Sequence, residues 1–146
     1  MGLLESIRLG TYVPDADPPL ATPGHRRTLR EAAARVEDGE DLLIVVREFL
    51  DQAGRATPDD LATMIDARPA LTEDARADAL LAGVAEYAAG NAERPCPIWT
   101  SEPERFLDHF WFVSREPGFR AIAIAQTPVA LKRRGIFWPA RSLRRV

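Results

Sequence analysis

The sequence predicts an all-α protein, a single compact domain of about five to seven helices with a short irregular C-terminal segment. Three observations carry that expectation. Apolar residues recur at three- and four-residue intervals in one window after another, and strand-like alternation is confined to a short stretch near 119–125. Thr-Pro, Thr-Glu-Asp and Ser-x-x-Glu motifs stand where helices should begin. Glycines and prolines punctuate the chain between these windows.

Residues 1–24 read as a proline-rich N-terminal arm and 25–146 as the helical domain. Gly10, Pro14, Pro18, Pro19, Pro23 and Gly24 remove donors and lock backbone angles, so the arm should not be helical. Ahead of it, Leu3, Leu4, Ile7 and Leu9 are expected to pack on the domain. A helix over 26–38 carries Leu29, Ala32, Ala33 and Val36, and Gly39 ends it. The stretch 41–53 gives the strongest core signal. Leu42, Val46, Phe49, Leu50 and Ala53 share a helical face that Leu43, Ile44 and Val45 widen almost all round, so this should be the central helix, with Gly54 closing it.

Thr57-Pro58-Asp59-Asp60 starts the next helix: threonine accepts from an early amide, proline at the first position lacks the donor that would be orphaned, and the aspartates oppose the positive helix end. Leu61, Met64 and Ile65 form its stripe. Thr72-Glu73-Asp74 opens another helix with Ala77, Leu80, Leu81, Val84, Tyr87 and Ala88 on its apolar face, stopped at Gly90-Asn91. After a loop over 91–103, Ser101-Glu102-Pro103-Glu104 reads as a capping box, predicting a helix that carries Phe106, Leu107 and Phe110. The stretch 119–125 fits helix or strand. Thr127-Pro128 repeats the start signal, Gly135 stops a short helix, and Ile136-Phe137-Trp138 is extended or turn.

Charge and aromatic content divide the chain. Every tryptophan and every phenylalanine except Phe49 falls after Pro95, and no acid follows Glu116. Residues 1–116 hold all 22 acids and a net charge of −10, and the remainder holds seven bases and +7. Whatever the protein touches should be touched in that basic, aromatic stretch. No apolar run approaches the ~20 residues of a membrane helix, and no signal peptide is evident. A single cysteine, Cys96, excludes an internal disulfide framework and suits a cytoplasmic protein. Eighteen arginines to one lysine suggest a GC-rich bacterial gene.

Catalysis and metal binding find no support in the motifs. His25 and His109 lack partners at ligand spacing, and Asp108 and His109, adjacent on a helix, point apart. Glu102, Glu104 and Asp108 are explained by a helix start, and Cys96 is an inert thiol. No phosphate loop, dinucleotide fingerprint or nucleophile elbow occurs. The expectation is therefore no enzyme, no metal and no cofactor. Segments 58–66 and 73–89 can be drawn as helix-turn-helix, but the second carries Glu73, Asp74, Asp78 and Glu86 against Arg76, the wrong sign for phosphate.

The expected partner-binding residues are Trp111, Phe112, Arg120, Lys132, Arg133, Arg134 and Trp138. Phe110, Trp111 and Phe112 span about 200° of a helix and cannot all face one core. Trp99, Phe106 and Phe110 are read as core and Trp111 as the exposed anchor. The basic run Lys132-Arg133-Arg134 beside Phe137 and Trp138 could grip single-stranded nucleic acid. Alternatively those rings are core, and the arginines are a solvated rim or pair with the acidic helices.

The block Pro97-Ile98-Trp99-Thr100, Pro103-Glu104-Arg105-Phe106-Leu107-Asp108-His109-Phe110-Trp111-Phe112, Pro117-Gly118-Phe119-Arg120-Ala121, Thr127-Pro128 and Arg133-Arg134-Gly135-Ile136-Phe137 resembles small, mostly uncharacterised proteins of high-GC bacteria. Those proteins tend to be encoded beside a nucleotidyltransferase-like, toxin-type gene. The resemblance covers 26–146 and is specific over 97–137. It implies an antitoxin-like or accessory partner of a nucleotidyltransferase-type protein, and it brings no catalytic residues. A nucleic-acid-binding regulator using the basic C-terminal segment is the alternative.

Overall fold

Local chemistry at the helix ends accounts for the N-terminal half. The computed structural model describes residues 27–143; the arm at 1–24, its apolar leader, His25, Arg144 and Arg145 lie outside the described residues. Helix α1 (Leu29–Glu37) opens on a reciprocal capping box: Thr28 Oγ1 accepts from the Glu31 amide at 3.1 Å, and Glu31 Oε1 accepts from the Thr28 amide at 3.0 Å. Such a cap contributes about 1 kcal/mol. Gly39, at φ +100°, lets the amides of Gly39 and Glu40 turn back to the carbonyls of Val36 and Arg35, ending the helix. Helix α2 (Leu42–Ala53) starts at Asp41, whose carboxylate accepts from the Leu43 and Ile44 amides. Helix α3 (Pro58–Asp66) starts as expected, with Thr57 Oγ1 accepting from the Asp60 amide at 3.1 Å.

The central helix is α4 (Ala75–Asn91), not α2. Every residue from Ala77 to Ala85 is buried, and α1, α2, α3, the 3-10 turns at 98–105 and the helix at 129–132 pack against α4. Its alanines and Gly83 leave room for neighbours on all sides, so a helix without one dominant apolar face becomes the axis. At Gly83 a Cβ would lie 2.5 Å from Leu131 Cδ2, so the glycine is needed for that close approach. Helix α2 is a layer beside it: Val45, Val46 and Phe49 are buried, Leu42, Leu50 and Ala53 are half-buried, and Ile44 faces out. The buried carboxyl of Asp78 is satisfied by the Thr72 amide and hydroxyl at 2.8 and 2.9 Å.

The helix expected after Ser101 does not form. Two 3-10 turns, Ile98–Ser101 and Pro103–Arg105, are followed by extended chain, and the second turn has no side-chain capping bond. Glu102 instead binds Arg68 at 2.6 Å and Arg105 at 3.1 Å. Arg105, with no solvent exposure, donates to the carbonyls of Pro69 and Asp78 and lies 4.9 Å from the Trp99 ring. Drawing that guanidinium inward takes the chain off a helical path: Phe106 adopts φ −125°, ψ 131°, and the Leu107 amide bonds the Arg134 carbonyl.

Strand β1 (Trp111–Phe112) then pairs in parallel with β2 (Ile136–Phe137), in register Trp111 with Ile136 and Phe112 with Phe137. Between them lie α5 (Phe119–Gln126), which resolves the ambiguous stretch as helix, and the short α6 (Val129–Lys132). Thr127 does not cap α6; its hydroxyl accepts from the Trp138 amide at 2.8 Å. Helix α7 (Ala140–Leu143) closes the described chain, giving seven α-helices among the described residues. None of them is long and apolar enough to cross a membrane.

Candidate functional site

An extended backbone at 110–112 sends successive side chains to opposite faces. Phe110 and Phe112 therefore share one face and meet Phe137 of β2: Phe112 stacks on it at 4.5 Å with an interplanar angle of 11°, and Phe110 approaches edge-on at 5.2 Å. Trp111 turns the other way, toward the core, beneath the Arg76 guanidinium at the start of α4, 5.0 Å from its ring. Gly118, at φ +82°, reverses the chain so that Arg120, at the start of α5, returns to 4.3 Å from the Phe112 ring. Two bonds shape the connecting turn, from the Glu116 amide to Ser114 Oγ and from the Phe119 amide to the Glu116 carbonyl, both at 3.1 Å. A groove of about 480 Å³ results, with Arg76, Phe110, Trp111, Phe112, Arg115 and Arg120 in its walls.

Of the expected partner-binding residues, this groove contains Trp111, Phe112 and Arg120. The other four lie elsewhere. Lys132 donates to the Ile124 carbonyl at 2.8 Å, and Arg133 bonds Glu86 at 2.8 Å across the Phe106 ring. Arg134 is 1% exposed: it donates to Glu86 and to the carbonyls of Ala130 and Thr100, both at 2.8 Å. Trp138 is 2% exposed, with Arg47 5.3 Å from its ring. Arg134 and Trp138 are thus internal. Arg133, which is exposed, shares the single Glu86 carboxylate with Arg134, and Lys132 meets only a main-chain carbonyl, so the run is partly paired with α4 and keeps positive charge.

The ring assignments also change. Phe110, read as core, is 73% exposed, whereas Trp111, read as the exposed anchor, is half-buried. Trp99 is core as expected, its indole donating to the Ile65 carbonyl at 2.9 Å. Arg76, Arg115 and Phe110 are groove residues that the sequence reading missed. A period of two rather than 3.6 over 110–112 is the signal that places Phe110 beside Phe112.

Arg35, Arg68, Arg94, Arg105, Arg133 and Arg134 each pair with a carboxylate, whereas Arg76, Arg115 and Arg120, like Arg27, Arg30, Arg47, Arg55 and Arg141, form no ion pair among the described residues. What sets the groove arginines apart is that three of them gather around one concavity. Three cations with one acid, Glu116, surround an aromatic wall. A second cavity, of about 620 Å³, is largely apolar and lies between α2, α3 and α4, with Leu50, Ala53, Leu61, Tyr87 and Leu143 in its lining. His109 is exposed, and the Cys96 sulfur lies 3.1 Å from Thr100 Oγ1. Among the described residues no three His, Cys, Asp or Glu side chains are grouped to hold a metal ion.

Comparison with known proteins finds no matching family model, no matching curated protein and no matching solved structure.

Proposed function

We propose that the protein is a non-enzymatic interaction module, an antitoxin-like or accessory partner of a nucleotidyltransferase-type protein, which it meets in the cytoplasm through the groove on β1. The observation that carries this reading is Phe110, 73% exposed, beside Trp111, Phe112 and three arginines that have no carboxylate partner among the described residues. Exposed aromatic and arginine side chains gathered around one concavity are the usual material of binding hot spots. The resemblance over 97–137 supports the class of partner. The alternative, a nucleic-acid regulator, needs a continuous basic track, and in the run Lys132–Arg134 the last arginine is buried and shares the Glu86 carboxylate with Arg133.

The test is co-expression with the product of the gene beside its own, which this reading expects to be a nucleotidyltransferase-type protein. A stable complex is expected, weakened about tenfold or more by Phe110→Ala, a change at an exposed ring that should leave folding intact. No complex, or a complex indifferent to Phe110→Ala and to Arg120→Ala, overturns the reading. Tight duplex binding that falls steeply with salt would favour the alternative.

A further inference from the structure

The Trp111 amide donates to the Gly135 carbonyl at 2.8 Å and the Val113 amide to the Phe137 carbonyl at 3.2 Å, so both residues turn their hydrogen-bonding groups toward β2. In a parallel ladder the residue between two such positions points its N–H and C=O to the other side. Phe112 therefore presents one donor and one acceptor along the outer edge of β1. Among the described residues no third strand pairs there. The groove follows this edge, because both faces of the strand contribute to it: Trp111 with Arg76 from one face, Phe112 with Arg120 from the other.

We propose that this edge accepts an extended acidic segment of a protein partner as a third strand, held by Phe112 main-chain hydrogen bonds and by Arg76, Arg115 and Arg120. The proposal rests on the reading of the groove as the docking face and specifies what docks there. Consecutive side chains of an added strand point to opposite faces. Two neighbouring carboxylates would thus meet Arg76 on one side and Arg120 on the other, with an aromatic side chain beside them against Phe110. Main-chain pairing supplies affinity and alternate side chains supply specificity, as in other strand-addition complexes. The charge balance selects a short acidic segment over a nucleic acid. Glu73 and Asp74, both exposed, precede Arg76 in sequence, and Glu116 lines the groove, so a continuous polyanion would meet acids close to these arginines.

The experiment uses the full chain and a panel of fluorescein-labelled peptides of sequence Ser-Asp-Glu-Phe-Asp-Ser, with Phe, Tyr or Trp at the ring position. Fluorescence anisotropy gives affinity, and the indole N–H resonances of the three tryptophans report location. Binding that moves the Trp111 resonance and leaves those of buried Trp99 and Trp138 in place is expected. Replacing the peptide acids by Asn and Gln, or Arg76 or Arg120 by Ala, should weaken it about tenfold each. Peptides N-methylated at each position in turn should include one that no longer binds, because the main-chain bond to Phe112 is lost. Urea transitions of Arg76→Ala and Arg120→Ala, both at exposed side chains, establish that each variant is folded. Equal binding of every N-methylated peptide, failure of the whole panel, or displacement of the peptide by oligothymidylate overturns the proposal. If the panel fails while the nucleotidyltransferase-type complex still depends on Phe110, only the strand-addition inference falls. If both fail, the docking reading falls with it.

Discussion

Arg105 and Arg134 are sealed from solvent, yet each guanidinium ends on main-chain carbonyls as well as on a carboxylate. A planar fork with five donors can satisfy several acceptors at fixed angles, which the ammonium of lysine cannot do. Nothing in the local sequence marks these two arginines apart from their exposed neighbours, because the acceptors they reach lie on distant segments. The same network tunes an acid. The hydrogen bond from Arg68, and then that from Arg105, holds Glu102 below its ordinary value of 4.5. A carboxyl depressed on folding stabilises the native state above its unfolded pKa, and that contribution is lost as pH falls through the folded pKa. Glu102→Gln should therefore lower the urea midpoint near pH 6, and its gap from the wild type should shrink once the medium is taken below about pH 4. A gap that stays constant across that range would mean the Glu102 charge contributes nothing to folding.

At the scale of elements, the close contact of α4 with α6 is the most exacting. A methyl group added at Gly83 would gain roughly 1 kcal/mol of helix propensity but press on Leu131, where overpacking costs about 1–3 kcal/mol. Gly83→Ala is expected to destabilise by about 1 kcal/mol, the difference between those two terms. Leu131→Ala opens the space, so the double variant should be more stable than the two single losses added together. Additive losses in chemical denaturation would show that the contact is slack. Elements whose starts are local chemistry were legible from the sequence: Thr57-Pro58 caps α3, and Gly39 closes α1. Elements set by distant partners were not. Ser101-x-x-Glu104 has the letters of a capping box, but Arg105 is drawn to Pro69 and Asp78. Thr127 likewise serves Trp138 instead of its own helix. The axis was mistaken because alanine-rich α4 looks weaker than the Leu-Ile-Val run of α2, although close packing favours the smaller residues.

Across the whole molecule, burial falls off from α4 outward. Its residues Leu80–Val84 are buried, whereas α5 buries only Ala123 of its eight residues. Native-state hydrogen exchange should therefore show α4 amides opening only with global unfolding and α5 amides opening at lower free energy. Equal protection in the two helices would contradict this gradient. The charge split pointed to the C-terminal third, where most of the groove's lining residues lie, but not to the side chains that form it. Of the basic run only Arg134 is buried, and Arg133 and Arg134 reach back to Glu86 of α4, while one wall of the groove, Arg76, comes from the acidic part, where no nearby pattern hints at it. Composition can indicate a region, whereas a composite site needs the tertiary path. That composite character also orders events during synthesis. The groove is walled by Arg76 and by Phe112, and Phe112 is held by stacking on Phe137 of β2, so a growing chain holds no finished groove until residue 137 has left the ribosome. The core is completed no earlier, because Leu131, Ile136, Trp138 and Leu143 belong to it, and a domain folds as a unit. Core and groove are thus finished together once these residues have emerged, and a binder that reads this edge would engage only chains whose β1–β2 pairing is complete.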